Sequence, residues 1–293
     1  LFFVPIWEQS WLERAIEIGP KRRFTLTGKA ALRLSKMIRA IAIVTAATFL
    51  YAPAGISFEA PPLQFDHVWI MVSPGAPERA ALERAGFQIA PTVNRHEGQG
   101  TASITVEFQN AFLELMWPDS TVPVAPGFER AVEKFHQRML WRKSGWCPIG
   151  IGFRRTTAAN APLPFPTWSI APGWLPPGST IEMLTPRDDT KSPSLFISPR
   201  ELAMDEASVL KAINSGSPQA SMYRHVNGVH RVTALRLLSP KTYQPIEPLT
   251  YLQKLKLVDL GQSEEWLVEV TFDGGQKHKV EDLRPHLPLL VRY

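Results

Sequence analysis

A single cysteine, Cys147, leaves this 293-residue chain no disulfide to form within itself and no cysteine-rich zinc module. Nothing in the sequence ends in the GK[ST] of a phosphate loop. G-x-S-x-G, H-E-x-x-H and G-x-G-x-x-G are missing too, which removes the commonest hydrolase, metalloprotease and dinucleotide fingerprints. Glycine is scarce against proline, 18 to 27, a balance that favours short strands and tailored loops over long helices. The net charge of +5 is also absent from most of the chain. Residues 1–36 carry seven Lys/Arg against three Glu and Arg39 adds one more, whereas 24 basic and 24 acidic residues cancel from Gly55 onward. A body with no net charge has no electrostatic footprint for nucleic acid, and none is expected as a partner.

Long apolar runs are lacking as well. Residues 40–52 (AIAIVTAATFLYA) are free of charge but only thirteen long, too short for a stable membrane span. They follow Arg33, Lys36 and Arg39 and precede Pro53-Ala54-Gly55, the layout of a secretory signal with a short apolar core. Residues 1–36 read as an uncertain upstream segment, residues 37–54 as signal-like, and neither is expected in the folded body. Export or a periplasmic location follows if residues 40–52 are that apolar core, and a cytoplasmic one otherwise.

From Phe65 the chain turns to short elements. Strands are expected at residues 65–73, 87–92, 102–108 and 111–117, with a short helix of PERAALERAG between the first two and Gly86 closing it. An amphipathic helix is expected at 128–141. A second strand series follows at 148–154, 165–170, 180–185 and 194–198, then a helix at 201–214. A third series has strands at 229–238, 265–272 and 277–283 and a helix at 249–255. The strand-helix-strands theme recurs three times, an internal repeat of pattern rather than of residues.

Chemistry is concentrated in few places. Glu114 lies in the apolar strand FLELM, where alternation puts it on a face with Phe112 and Met116. A carboxylate there needs a metal ion, an arginine or a raised pKa. His67 opens the first strand on a face with Trp69 and Met71. If first and last strands are neighbours, His67 and Glu114 converge as N and O donors for one divalent ion. His96 falls in the polar loop RHEGQGT. His225 precedes Asn227-Gly228, a turn-forming pair, and nothing marks Cys147 as a nucleophile.

The segments Phe65-Asp66-His67-Val68, His96-Glu97-Gly98-Gln99-Gly100-Thr101, Phe112-Leu113-Glu114-Leu115, SLFI at 194–197 and His225-Val226-Asn227-Gly228 together resemble the glyoxalase-like branch of the vicinal oxygen chelate superfamily. The resemblance covers about residues 63–240. It implies an α+β fold in which paired βαβββ modules, residues 63–200, form a half-open barrel, with a third, partial strand-helix-strand module at 201–293. It implies a divalent metal ion (Zn, Mn, Ni or Fe) at His67 and Glu114, catalysis by Glu114 and His96, and a substrate cavity lined by His96, Trp69, Phe112 and His225. The activity implied is that of a metal-assisted isomerase, lyase or dioxygenase on a small oxygen-rich molecule. The alternative is a non-catalytic binding or sequestration protein of the same fold. A small molecule is the expected partner, with room for a homodimer. In the second module Cys147 or Pro148 stands where a further His or Gln is expected, and Phe196 stands near the expected final carboxylate.

Overall fold

The structure, a computed structural model, describes residues 62–156, 162–189, 191–203 and 205–293. The readings of residues 1–54, including the signal-like segment and the location drawn from it, lie outside the described residues. Among the described residues no helix is long and apolar enough to cross a membrane.

The first module runs β1 (Leu63–Met71), α1 (Arg79–Arg84), β2 (Asn94–His96), β3 (Thr101–Glu107) and β4 (Phe112–Pro118). Two helices, α2 (Glu129–Met139) and α3 (Trp141–Ser144), lead to the second: β5 (Ile149–Arg155), β6 (Trp168–Ile170), β7 (Ile181–Met183) and β8 (Ser194–Ile197). The eight strands form one sheet in the order β2-β3-β4-β1-β5-β8-β7-β6, which reads the same outward from the β1–β5 junction in both directions. In each module the first strand pairs parallel with the last, and β1 meets β5 antiparallel. This is the α+β module pair that the sequence implies. The second module has no helix between β5 and β6 among the described residues, and the stretch 162–167 carries three prolines.

Alternation sorts the side chains. Val68, Ile70, Leu113, Leu115, Ile149, Ile151 and Phe153 enter the main core, whereas Trp69, Met71, Met116 and Phe196 form a smaller cluster on the opposite, cavity side. One irregularity matters for the site. The β1–β5 register slips between Phe65 and His67, so that Asp66 is an extra residue, a bulge. Phe65 therefore packs against the core although it lies two residues before His67, which faces the cavity.

The second helix series begins with α4 (Glu206–Asn214), whose N-cap Asp205 accepts a hydrogen bond from the Ala207 N–H. A separate five-stranded sheet follows: β9 (Val232–Pro240), α5 (Glu247–Lys254), β10 (Asp259–Ser263), β11 (Leu267–Phe272), β12 (Val280–Asp282) and β13 (Leu289–Arg292). Its order, β10-β9-β11-β13-β12, differs from that of the modules: β9 pairs parallel with β10 across α5. Phe272 of this sheet packs on Phe87 and Phe108 of the first module, with ring centroids 5.8 and 4.6 Å away. The two sheets share one core.

Residues 87–92, expected as a strand, have no regular structure. Pro91 supplies no N–H, and apart from the Ala90 N–H bonded to the Thr105 carbonyl the ladder with β3 begins only at Asn94. His96 consequently ends β2 rather than sitting in the following loop. The helix expected from residue 201 starts only at Glu206, behind its aspartate cap. Strands β10 and β13 were not expected.

Candidate functional site

A cavity of about 1090 Å³ opens on the inner face of the eight-stranded sheet. His67, Trp69, His96, Phe112 and Glu114 all line it. The parallel register sets Trp69 beside Glu114 and His67 beside Phe112, so the first and last strands of the module present these side chains together. Glu114 is 8% exposed; its Oε1 lies 3.6 Å from His96 Nε2 and its Oε2 lies 4.0 Å from His67 Nε2. Among the described residues no Lys or Arg pairs with this carboxylate, and no donor lies within hydrogen-bond distance of it. The buried carboxylate thus meets two imidazoles and the cavity.

His67 is held on every side. Its Nδ1 lies 2.7 Å from Asp66 Oδ2, and the same oxygen accepts from Ser198 Oγ at 3.0 Å. Asp66 is fully buried, with the Arg154 guanidinium 3.5 Å from its other oxygen. A carboxylate accepts only, so Nδ1 of His67 carries a proton and Nε2 is the nitrogen that faces Glu114. The ring stacks on Phe112 at 4.1 Å and meets the edge of Phe196 at 5.1 Å.

His96 is set by a chain of donors. Trp174 Nε1 donates to Gln99 Oε1 at 3.1 Å, which fixes that amide so that its Nε2 donates to Thr101 Oγ1 at 3.1 Å. The Thr101 hydroxyl then sends its own proton to His96 Nδ1, 2.8 Å away, leaving the N–H of His96 on Nε2, toward Glu114. Burial lowers the His96 pKa, which Glu114 opposes and His67 reinforces, so the ring is neutral at pH 7. Both imidazoles thus turn Nε2 toward Glu114.

Two polar residues at this end escaped the sequence reading. Glu107 lines the same cavity, and burial raises its pKa against the opposing hydrogen bond with Thr105 and the nearby His67. Thr101, Ser103, Thr105 and Glu107 alternate with Ala102, Ile104 and Val106, which enter the core. That strict polar–apolar period in TASITVE was the available signal. Asp66 was the other, a charged residue one position before a ligand-like histidine.

The second module contributes differently. The positions of β5 on the cavity side are Gly150 and Gly152. A Cβ at Gly152 would lie 2.8 Å from His67 Cε1 and 2.9 Å from Phe196 Cε2, and one at Gly150 only 2.0 Å from Trp69 Cε2. First-module rings thus fill the space where second-module donors would project. Cys147 enters the core instead, and burial pushes its thiol pKa up to about 12. Superfamily members often use divalent metals. Here no group of three or more His, Cys, Asp or Glu among the described residues is arranged to hold one. With Gly152 and Phe196 against His67 and Gly150 against Trp69, the residues present do not fit an ion held by both modules.

His225, expected on the cavity wall, is not on it. Its Nδ1 accepts from the Gln88 N–H at 3.0 Å, its Nε2 lies 2.9 Å from the Glu107 carbonyl, and its ring packs on Phe87 and Phe108. Asn227 donates to the Ala85 carbonyl at 3.0 Å, and its N–H reaches the Gly86 carbonyl at 3.2 Å. The His-x-Asn-Gly segment thus seals the end of α1. There Gly86, at φ 84°, approaches Asn227 too closely for a Cβ, which would lie 2.9 Å from its main-chain nitrogen.

No curated protein matches the chain. A solved structure of a hypothetical protein from Staphylococcus aureus aligns over 78% of this chain and 98% of that one, with 10% identity and a TM-score of 0.43. The model of the glyoxalase-like domain family matches residues 65–251. With well over half its length inside that match, the chain belongs to the glyoxalase-like domain family.

Proposed function

We propose that the protein is a small-molecule enzyme that moves a proton at the polar end of the cavity, in an isomerase- or lyase-type reaction on an oxygen-bearing substrate. The observation that supports this is Glu114, a buried carboxylate facing the cavity with no Lys or Arg paired to it among the described residues and only the imidazoles of His67 and His96 beside it. A base so placed is poorly solvated and reactive. Glu114 would take a proton from a carbon next to a carbonyl, leaving an enolate. The His96 N–H would donate a hydrogen bond to the enolate oxygen, with the Glu107 carboxyl, whose pKa burial raises, lining the same cavity. In an α-hydroxycarbonyl, passage of the hydroxyl proton to the enolate oxygen and return of the carbon-derived proton to the former carbonyl carbon complete an isomerisation. In a substrate with a leaving group on the β-carbon, its departure with the bonding pair restores the carbonyl and completes an elimination. His67, fixed by Asp66, keeps its Nε2 beside Glu114 and orients the carboxylate.

A panel of small hydroxycarbonyl compounds in D₂O tests this by NMR. Wild type should wash deuterium into one of them, and Glu114→Gln should slow the exchange by about 10²–10⁴-fold. Exchange at equal rates in the two proteins would overturn the proposal.

The second reading, a binding protein without chemistry, is favoured by Gly150, Gly152 and Phe196, which take away half of the superfamily's polar constellation. It predicts no exchange with any compound and affinity unchanged in Glu114→Gln.

A further inference from the structure

The opposite end of the cavity has its own chemistry. Arg130, Lys134 and Arg138 recur at every fourth position of α2, and all three line the cavity, as does Arg187 from the loop after β7. Like charges at this spacing weaken a helix unless something else stabilises them. Arg138 is 5% exposed. Its Nη1 donates to the Cys147 carbonyl and its Nη2 to the Ser192 carbonyl at 3.0 Å, but among the described residues no carboxylate lies within ion-pair distance. An arginine keeps its charge even there, and a buried cation bonded only to neutral carbonyls leaves a strong positive potential in the cavity.

The acidic groups nearby do not cancel it. Asp189 turns its oxygens to the main-chain N–H groups of Lys191 and Ser192 and to the Ser192 hydroxyl. Asp188 meets Arg130 at 3.6 Å, with both side chains largely in solvent. Lys134 donates to the Arg187 carbonyl at 2.8 Å and, among the described residues, has no carboxylate within ion-pair distance. Between this cationic end and His67 lies the apolar cluster of Trp69, Met116 and Phe196, joined by Phe135, Ile181 and Met183. Arg138 Cζ stands 5.9 Å from the Trp69 ring centre. Trp69 follows His67 by two residues of strand, about 7 Å.

We infer that the cavity takes an organic anion: the anionic group sits against Arg138 and Lys134, and an apolar body runs along Trp69, Met116 and Phe196 toward His67 and Glu114. The inference rests on the proposed function only in placing the reacting end at Glu114. Terminal carboxylate and terminal phosphate share the required chemistry, and the arms of the test separate them.

Calorimetric titration with 4-phenylbutyrate, 4-phenylbutyl phosphate and the neutral 4-phenylbutan-1-ol reads the effect directly. At least one anion should bind about tenfold or more tightly than the alcohol, and the tighter of the two names the anionic group. Arg138→Gln removes the buried charge but also a tie between two main-chain carbonyls. Lys134→Gln combined with Arg187→Gln therefore serves as the main variant, since a glutamine at 134 keeps a donor for the loop. This double variant should lose the preference for the anion by about three- to tenfold and bind the alcohol as wild type does. Equal binding of alcohol and anion, no binding of any of the three at millimolar concentration, or an unchanged preference in the double variant would overturn the inference. Glu114→Gln should keep the anion preference even if it shows Glu114 to be idle in exchange, so the two ideas fail separately.

Discussion

Gly150→Ala adds one carbon where the structure leaves none. The new Cβ would lie 2.0 Å from Trp69 Cε2, 2.3 Å from Nε1 and 2.4 Å from Cζ2. Carbon atoms rest about 3.5–4.0 Å apart, so the indole must retreat by about 1.5 Å. It has little room, being packed among Met71, Met116 and Phe196 with Arg138 across its ring. Overpacking of this kind costs about 1–3 kcal/mol, and the gain from replacing a strand glycine returns only about 0.5–1 kcal/mol of it. We expect Gly150→Ala to lower stability by about 2 kcal/mol in urea unfolding followed by circular dichroism. Trp69→Leu destabilises by itself, but it clears the space above Gly150. In that background the cost of Gly150→Ala should vanish, giving a coupling of about 2 kcal/mol in the double-mutant cycle. Equal costs in the two backgrounds would refute the reasoning that first-module rings occupy the second module's side of the site.

Asp66→Asn should reverse the tautomer of His67, because the amide donates where the carboxylate accepted. ¹⁵N NMR should move the proton from Nδ1 to Nε2, and any exchange activity should fall by about 10³–10⁴-fold; an unchanged tautomer refutes the assignment. Burial, the largest influence, lowers the His225 pKa from 6.5; the Glu107 carbonyl opposes it and His230 adds to it. The folded state therefore binds the proton less readily than the unfolded one. The stability associated with His225 is intact above pH 6.5 and is lost as pH falls below it, because protonated Nδ1 cannot accept from Gln88. The urea midpoint should drop between pH 7.5 and 5.5, and His225→Gln should shrink that drop; an equal drop in both proteins would contradict it.

The βαβββ order and the facing of His67 and Glu114 were legible in the sequence, because period-two alternation survives in β1, β3 and β4. The bulge at Asp66 was not, since an extra residue in a ladder depends on the partner strand and leaves no local mark. Pro91 should have warned against a strand at 87–92. His225 misled because an imidazole that seals a helix end by accepting from Gln88 looks, in sequence, like one that lines a cavity. The sequence marked residues 128–141 as an amphipathic helix without placing its charges. Only the position of the helix over the concave sheet turns Lys134 and Arg138 toward the cavity. The glycines of β5 were legible as strand residues but not as space for Trp69 and His67, which come from 81 and 85 residues earlier.

The central claim is that Glu114, flanked by the two oriented imidazoles of the first module, supplies the base without an ion held by both modules. Deuterium wash-in measured on one protein sample before chelation, after dialysis against EDTA, and after adding back Zn²⁺, Mn²⁺ or Ni²⁺ tests it most directly. We predict the same wild-type rate in all samples, and a rate at the uncatalysed background for Glu114→Gln. Loss of exchange on chelation and its return with one of these ions would contradict the account.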